Sequence, residues 1–439
     1  MAWKWLLQIL KSLWKVNMRY HLIGDMGISM RGLRKILEAD GQTVSGSDLK
    51  TNGHRAENIS KDIDIVIRSS AISPGSPGWI EVEEAEKYGI SVIKRSKFIG
   101  EYTKDKFLIA VSGAHGKTTV TSLIGLMLIE GKLDPTVLVG EIIPQLENDV
   151  IRIGKSKYFV LEACEYDRSF LDFKPNIAII TNVDEEHIDT YPGGLAEIIE
   201  TFRDFIGTVK QGGTVIGCGC DVNVVEIINQ ARPDIKKIFY GDKSGEYSKL
   251  KYDLAIIGKH NKLNALAALA VADTLHISEE VKAKVFKEFK GAKRRLEYMG
   301  EINGSEVFDD YGHHPTEILA SIMALRDKYP EKKLVTVFWP HQYKRILALK
   351  KEFVDVLSKS DEVILKPIFL VPGRDEKLDI SSQDLANGLN ENKIPTKVLE
   401  NDNEIIEYLR KISDQNKIIL TIGIPPIYKV AEQLVMAEK

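Results

Sequence analysis

The stretch Leu108-Ile-Ala-Val-Ser-Gly-Ala-His-Gly-Lys-Thr-Thr-Val-Thr-Ser122 restricts this chain more than any other. From Phe107 to Val111 the residues are apolar, as in a buried strand. Gly113 and Gly116 bracket a turn holding only Ala114 and His115. Lys117-Thr118-Thr119 then open a helical pattern that ends at Gly131. A strand, a glycine turn and a helix in that order make a cradle for phosphate. Glycines let backbone N–H groups approach the oxygens, the helix N-terminus adds partial positive charge, and the lysine reaches the terminal phosphates. The threonine hydroxyl is a natural Mg²⁺ ligand beside them. The turn is tighter than the common Gly-x-x-x-x-Gly-Lys spacing, but each part stands where the chemistry needs it. An ATP site on an α/β sheet is the expectation.

A chain of 439 residues has room for about three domains, and 44 % hydrophobic with 28 % charged residues suits a globular protein with a full core. The net charge of −3 and evenly spread Lys and Arg leave no basic stripe for nucleic acid. Cys164, Cys218 and Cys220 form no Cys-x-x-Cys pair, which argues against a disulfide framework or zinc site and suits a reducing, cytoplasmic setting. No run of 18 apolar residues exists to span a membrane. Residues 1–17 read as an amphipathic extension. Trp3, Leu6, Leu7, Leu10, Leu13 and Trp14 share one helical face, with Lys4, Gln8, Lys11 and Lys15 opposite. Such a helix suits weak contact with a membrane surface or packing on the protein's own body. The third reading is a start placed too early, with Met18 beginning the functional chain, and no small-residue cleavage site marks a signal peptide.

From Tyr20 the pattern alternates strand and helix. Tyr20–Ile23 reads as a strand, Gly24–Gly27 as a turn, Ile28–Asp40 as an amphipathic helix, and Thr43–Asp48 as a strand with an acidic end. This is a Rossmann-like start, but Gly24-x-x-Gly27-x-x-x-x-Gly32 lacks the dinucleotide fingerprint. Strands at Ile63–Ile67 and Ile90–Ile93, with Ser69-Ser70-Ala71 between, complete a domain over 18–105. A central domain over 106–291 carries strands Tyr158–Leu161, Ile177–Ile180 and Gly213–Ile216, then an Ala/Leu-rich helix from about Asn261 to Leu275. A third unit over 292–439 has a helix over 315–328 and strands at Leu334–Phe338, Asp361–Leu365 and Ile418–Ile422. The fold class expected is α/β in three domains: Rossmann-like, phosphate-loop ATPase with a mostly parallel sheet, and Rossmann-like again.

Two central strand ends carry acidic and imidazole groups, Val160-Leu-Glu162-Ala-Cys-Glu165 and Thr181-Asn-Val-Asp184-Glu-Glu-His187. Ligands of open α/β sheets bind beyond the carboxyl ends of strands. Alone, an acidic loop is usually solvated and a single histidine usually structural. The phosphate loop reverses that balance in favour of a divalent metal beside Lys117-Thr118.

Six motifs in order resemble those of the Mur ligase family: Ser112–Thr119, Leu161–Glu165, Thr181-Asn182 with Glu186-His187, Lys259–Asn264, Lys293–Arg295 and Asp309–Glu317. The likeness runs from about residue 20 to 430 and is nearest to the family's alanine-adding group. It implies an ATP- and Mg²⁺-dependent ligase of peptidoglycan precursor synthesis, which joins L-alanine to the lactyl carboxylate of UDP-N-acetylmuramate through an acyl phosphate. By resemblance, Gly113, Ala114, His115, Gly116, Lys117, Thr118 and Thr119 hold the phosphates, and Thr118, Glu162 and His187 serve Mg²⁺. Asn261 and Asn264 take the adenine, Asp310 the ribose, and Arg295 reaches the phosphates. Lys117, His187 and Arg295 are the catalytic set. Gly24, Gly27, Ser47, Asp48, Ser69 and Ser70 hold the UDP-sugar, while Tyr311, His313, His341 and Arg345 surround the amino acid. A monomer or homodimer is expected.

Four departures stand out. Gln342 occupies the place of an arginine, Cys164 that of an aspartate, Met26 that of a glycine, and Gly423-Ile-Pro-Pro426 that of a Gly-Ala-Gly-Asp turn. They keep two rivals in view: a ligase that attaches a whole tripeptide to the same sugar nucleotide, and a nucleotide-binding scaffold that makes no amide.

Overall fold

A computed structural model describes residues 17–185, 190–241, 245, 247–370, 375–424 and 426–436. The amphipathic extension, up to residue 16, and His187 lie outside the described residues. The chain divides into two compact units, Met1–Asp253 with Leu263–Lys287, and Leu254–Lys262 with Glu288–Lys439. Among the described residues no helix is long and apolar enough to cross a membrane.

The first unit contains two sheets. One has the order β2-β1-β3-β4, from β1 (Arg19–Ile23), β2 (Thr43–Ser47), β3 (Ile65–Arg68) and β4 (Ser91–Lys94), all parallel. The other runs β11-β10-β9-β5-β8-β6-β7. Its strands are β5 (Phe107–Ser112), β6 (Thr136–Ile143), β7 (Asp149–Arg152), β8 (Tyr158–Glu162), β9 (Ile177–Ile180), β10 (Thr214–Cys218) and β11 (Lys236–Tyr240). Only the β6–β7 edge is antiparallel. β5 lies between β8 and β9, so the chain leaves it in both directions across the sheet. Such a switch point, beyond the carboxyl end of β5 where the glycine turn begins, is where open α/β sheets bind their ligands. The Ile177–Ile180 run is apolar at every position because both faces of the sheet are covered.

One core joins these two sheets. It takes Leu22 of β1, with Leu33 and Phe98 from helices beside the first sheet, and Leu108 of β5, Phe159 of β8 and Phe170 from the helical turn after β8, all buried. Burying each such side chain contributes roughly 1.5–3 kcal/mol. Close backbone approach adds to it. A Cβ on Gly100, in the helix Arg95–Tyr102, would lie 2.2 Å from the Asp172 carbonyl oxygen. A Cβ on Gly32 would lie 2.4 Å from Leu138 Cδ1 of β6. Gly32, the last glycine of the Gly24-x-x-Gly27-x-x-x-x-Gly32 pattern, therefore serves packing of the helix Ile28–Ala39.

The second unit holds the sheet β12-β13-β17-β14-β15-β16, from β12 (Glu297–Ile302), β13 (Ser305–Asp310), β14 (Lys333–Phe338), β15 (Glu362–Leu365), β16 (Thr396–Val398) and β17 (Lys417–Ile422). All pairs are parallel except β12–β13. Alternation along its strands separates two apolar layers. Leu334 and Phe338 pack on one face with Ile318, Phe353 and Leu385. Val335 and Val337 pack on the other with Ile405, Leu409 and Leu434.

Candidate active site

In the first unit the turn after β5 is set by sterics. Gly113 has φ +127° and a Cβ there would lie 2.1 Å from Thr181 Oγ1. Gly116 has φ +85° and would place a Cβ 2.4 Å from Asn264 Oδ1. Both positions thus need glycine, for the left-handed backbone and for space. Thr181 and Asn182 brace the loop. The Asn182 side chain accepts from the His115 N–H at 2.8 Å and donates to the His115 carbonyl at 2.9 Å, which also accepts from Thr181 Oγ1 at 2.6 Å. His115 Nε2 stands 3.4 Å from the Asp184 carboxylate.

Lys117 and Thr118 open the helix Lys117–Glu130 and meet two carboxylates from the end of β8. Thr118 donates its hydroxyl to Glu162 Oε2 at 2.9 Å, and the Gly140 N–H donates to the same oxygen at 2.8 Å. Gly140 leaves no room for a Cβ, which would fall 2.8 Å from Glu162 Oε1. Lys117 Nζ donates to both oxygens of Glu165 at 3.1 and 3.2 Å, to the Ala114 carbonyl at 3.0 Å, and to the Gly113 carbonyl. Glu165 is almost wholly buried and its own carbonyl accepts from Tyr191 at 2.6 Å. Thr118 and Glu162 offer hard oxygen donors side by side, the donor set that suits Mg²⁺. Thr181, Asn182 and Glu165 received no role from the sequence, although each lay inside a motif already singled out. Only the fold shows them touching the loop.

The turn after β1 is also held from below. The Ser47 carbonyl, at the end of β2, accepts the N–H groups of Gly24 and Asp25 at 2.9 and 3.0 Å. Asp48 Oδ2 accepts the Met26 N–H at 3.2 Å. Gly27 is the N-cap of the helix Ile28–Ala39, whose first N–H groups receive no side-chain cap. Ser69 abuts the turn, since a Cβ on Gly24 would lie 2.7 Å from its hydroxyl. Ser70 Oγ lies 3.4 Å from Ser169 Oγ, and Lys94 pairs with Asp167 at 2.8 Å. The segment directly after Glu165 therefore touches Ser70, just after β3, and Lys94, at the end of β4. Ser47, expected to face a ligand, is fully buried and turns its hydroxyl inward to Glu81.

In the second unit the carboxyl ends of β13 and β14 gather Tyr311, His313, His341 and Arg345. The His313 ring packs edge-on against those of Tyr311 and His341, with centroids 5.8 and 5.3 Å apart. Arg345 Nη1 stands 3.5 Å from His341 Nε2. Burial, then the neighbouring His313 and Arg345, push the His341 imidazole down to about 3, so it is neutral at ordinary pH. Glu317 ties the group together. It accepts the His313 N–H at 2.9 Å and stands 3.2 Å from its ring and 3.6 Å from Arg295. Arg295 also lies over the Tyr311 ring at 5.4 Å. Asp310 is buried and accepts from the N–H groups of Leu296 and Gly312 at 2.7 and 2.6 Å. Burial outweighs Arg295 and those donors and raises its carboxyl to about 6. Arg294 is structural instead: it clamps Asp309 at 3.0 Å and the Ile424 carbonyl at 3.1 Å. Asn261 donates to the Ile257 carbonyl at 2.7 Å, and Gln342 adopts φ +64° beside His341.

Three family descriptions match the chain: the Mur ligase family catalytic domain over residues 19–107, the Mur ligase middle domain over 111–252, and the Mur ligase glutamate ligase domain over 294–424. The UDP-N-acetylmuramate–L-alanine ligase of Caldanaerobacter subterraneus subsp. tengcongensis is 37 % identical over 96 % of this chain and 98 % of its own length. That of Aquifex aeolicus is 37 % identical over 94 % and 96 %. Among solved structures, the UDP-N-acetylmuramate–alanine ligase of Thermotoga maritima superposes with a TM-score of 0.78, covering 96 % of this chain and 99 % of that one. At 23 % identity this last likeness speaks for the fold alone.

Proposed function

The chain belongs to the Mur ligase family, and we propose from its site and its relatives that it joins L-alanine to UDP-N-acetylmuramate at the expense of ATP, in the synthesis of peptidoglycan precursors. The observation that carries the ATP half is the pairing of Thr118 with Glu162 beside that of Lys117 with Glu165, at the switch point of the central sheet. We divide the chain into a UDP-sugar domain over 18–105, an ATP domain over 106–291 and an amino-acid domain over 292–439.

A lactyl carboxylate oxygen attacks the γ-phosphorus of ATP as the bond to ADP breaks, leaving an acyl phosphate. The alanine nitrogen then adds to the carbonyl carbon. Phosphate departs from the tetrahedral state, the nitrogen loses its proton, and the amide remains. Such chemistry needs positioning and charge neutralisation more than a covalent nucleophile. Lys117 takes the β and γ phosphates, exchanging its hold on Glu165 for theirs. Thr118 and Glu162, with His187 by family likeness, would hold Mg²⁺, which when bound would offset the charge of the phosphate oxygens. Asn261 and Asn264 are assigned to adenine, Asp310 to the ribose and Arg295 to the phosphates. Gly24, Gly27, Asp48, Ser69 and Ser70 are assigned to the UDP-sugar, with Ser47 acting through its carbonyl. Arg345 suits the amino acid's carboxylate because its fork donates two parallel hydrogen bonds.

The test is phosphate release across a panel of L-alanine, L-serine, glycine and the tripeptide. Release that needs both UDP-N-acetylmuramate and L-alanine is expected. ATP turnover independent of the sugar nucleotide would sink the assignment, and preference for the tripeptide would move the chain to the recycling class. The reading also takes the protein as cytoplasmic and as a monomer or homodimer, which sedimentation of the purified chain checks. Deleting residues 1–17 and measuring co-sedimentation with liposomes tests the surface helix, and unchanged binding ends that idea.

A further inference from the structure

Behind the turn after β1 lies a buried polar cluster that the reaction does not use. Glu81, in the helix Trp79–Lys87, is fully buried, and three segments converge on its two oxygens. From β1, His21 Nε2 stands 2.9 Å from Oε2, its other nitrogen 2.8 Å from Ser45 Oγ. From the end of β2, Ser47 Oγ donates to Oε2 at 2.7 Å. From the loop that follows, His54 Nδ1, the Arg55 N–H and Asn58 Nδ2 reach Oε1 at 3.1, 3.2 and 2.9 Å. His54 Nδ1 also lies 3.0 Å from Ser47 Oγ. A buried carboxylate persists only when saturated with donors, and this one is.

The position of the cluster gives it a second consequence. Ser47 is the residue whose carbonyl accepts the Gly24 and Asp25 N–H groups, and Asp48, next in the chain, accepts that of Met26. Gly27 closes on the Gly24 carbonyl at 3.1 Å. Every N–H from Gly24 to Gly27 is thus committed to shaping the turn, and none is left for a ligand. The groups that remain for an anion are the uncapped first N–H groups of the helix Ile28–Ala39, whose direction the turn sets. Glu81 holds the hydroxyl of the same residue whose carbonyl holds the turn.

We infer that Glu81 is a positioning residue for the nucleotide-sugar: through Ser47 it fixes the Gly24–Gly27 backbone and so aims the N-terminus of the helix Ile28–Ala39 at the diphosphate. This rests on the assignment of that turn to UDP-N-acetylmuramate. A carboxylate that acted only as core filling would govern stability and leave the substrates indifferent. One that aims the helix selectively weakens a single substrate.

The experiment is steady-state kinetics of the full-length chain with each substrate varied in turn. For Glu81→Gln the KM for UDP-N-acetylmuramate should rise about tenfold, while kcat and the KM values for ATP and L-alanine stay within about twofold. Glu81→Asp, which keeps the charge, should recover part of the loss. Ser47→Ala removes one donor and leaves Glu81 its other partners, so it covers the case in which Glu81→Gln does not fold. It should show the same selective rise, and combining it with Glu81→Gln should add little further. Folded variants with an unchanged KM for UDP-N-acetylmuramate, or an equal rise for all three substrates, would overturn the inference. Gly24→Val separately probes the assignment beneath it, because its side chain must displace Ser69. If that variant turns over with an unchanged KM for the nucleotide-sugar, the turn is not the UDP-sugar site and the inference falls with it.

Discussion

Thr118 gives its hydroxyl to Glu162 across 2.9 Å, joining the first turn of the helix after the phosphate loop to the end of β8. The two residues are far apart in sequence, and parallel pairing of β5 with β8 brings them together. The Gly140 N–H completes the arrangement, so the Glu162 carboxylate is held by two donors.

Glu162→Gln keeps the shape of this group and removes its charge. We expect kcat to fall by about a hundredfold or more, because on the proposed assignment the amide no longer supplies the negative charge that would hold the metal. Raising the magnesium concentration should restore part of the rate. A variant with wild-type turnover in limiting magnesium refutes the metal assignment.

Lys117→Ala removes the only side-chain cation assigned to the β and γ phosphates within the loop. Turnover should drop by about a thousandfold or more. Its partner Glu165 then keeps a buried negative charge without that lysine, so a lower Tm should accompany the loss. Calorimetry and phosphate release read the two effects separately, and normal turnover by the variant dismisses the site.

His341 should remain neutral from about pH 5 to 8, since burial, then the neighbouring His313 and Arg345, hold it near 3. Its ring resonances in an NMR titration, assigned by comparison with His341→Gln, should not shift across that range. A midpoint near 6.5 would contradict the geometry. On the proposed assignment, the imidazole would act toward the amino acid by shape and hydrogen bonding rather than by charge.

Glu81 should make stability depend on acid. Burial alone would raise its carboxyl, but the hydrogen bonds from His21, Ser47 and Asn58 hold it down to about 2, against an ordinary 4.5. A carboxyl depressed by folding stabilises fully above its unfolded value and loses that contribution as pH falls through its folded value. The Tm difference between wild type and Glu81→Gln should therefore be widest above about pH 5 and shrink between about pH 4.5 and 2. A difference that grows toward acid reverses the sign and rejects the argument.

Gly100→Ala tests the shared core of the first two sheets. The added methyl would lie 2.2 Å from the Asp172 carbonyl oxygen, a backbone atom that cannot swing aside. Destabilisation of about 1–3 kcal/mol is expected from overpacking, despite the gain in helix propensity. Denaturant unfolding measures it, and an unchanged midpoint removes the contact from the account.

Much of the fold was legible. The central strands were read nearly in place because β5, β8 and β9 are continuous apolar runs closed by turn residues. The edge strands β7, β11, β12 and β16 were not, since solvent on one side leaves them without a distinctive pattern, and neither was the interior strand β6. Gly32 illustrates the limit. Its spacing from Gly24 and Gly27 points to no more than a Rossmann-like start, and only the fold shows its neighbour, Leu138, more than a hundred residues on. Glu165, Glu317 and Glu81 were invisible as positioning groups, because a glutamate's role depends on what surrounds it and a lone acidic residue is usually solvated.

The chain's own residues determined the strand-turn-helix phosphate cradle, the alternation that builds mostly parallel sheets, and the ordered motifs that mark the family. These are local statements, written by periodicity, glycine freedom and the spacing of a few polar groups. Tertiary structure alone decided which carboxylate meets which partner: Glu162 with Thr118, Glu165 with Lys117, Glu81 with Ser47. Strand order across a sheet sets those pairings, and strand order follows from burying the apolar faces of distant segments together. That is a property of the whole core, and no single segment of the sequence carries it.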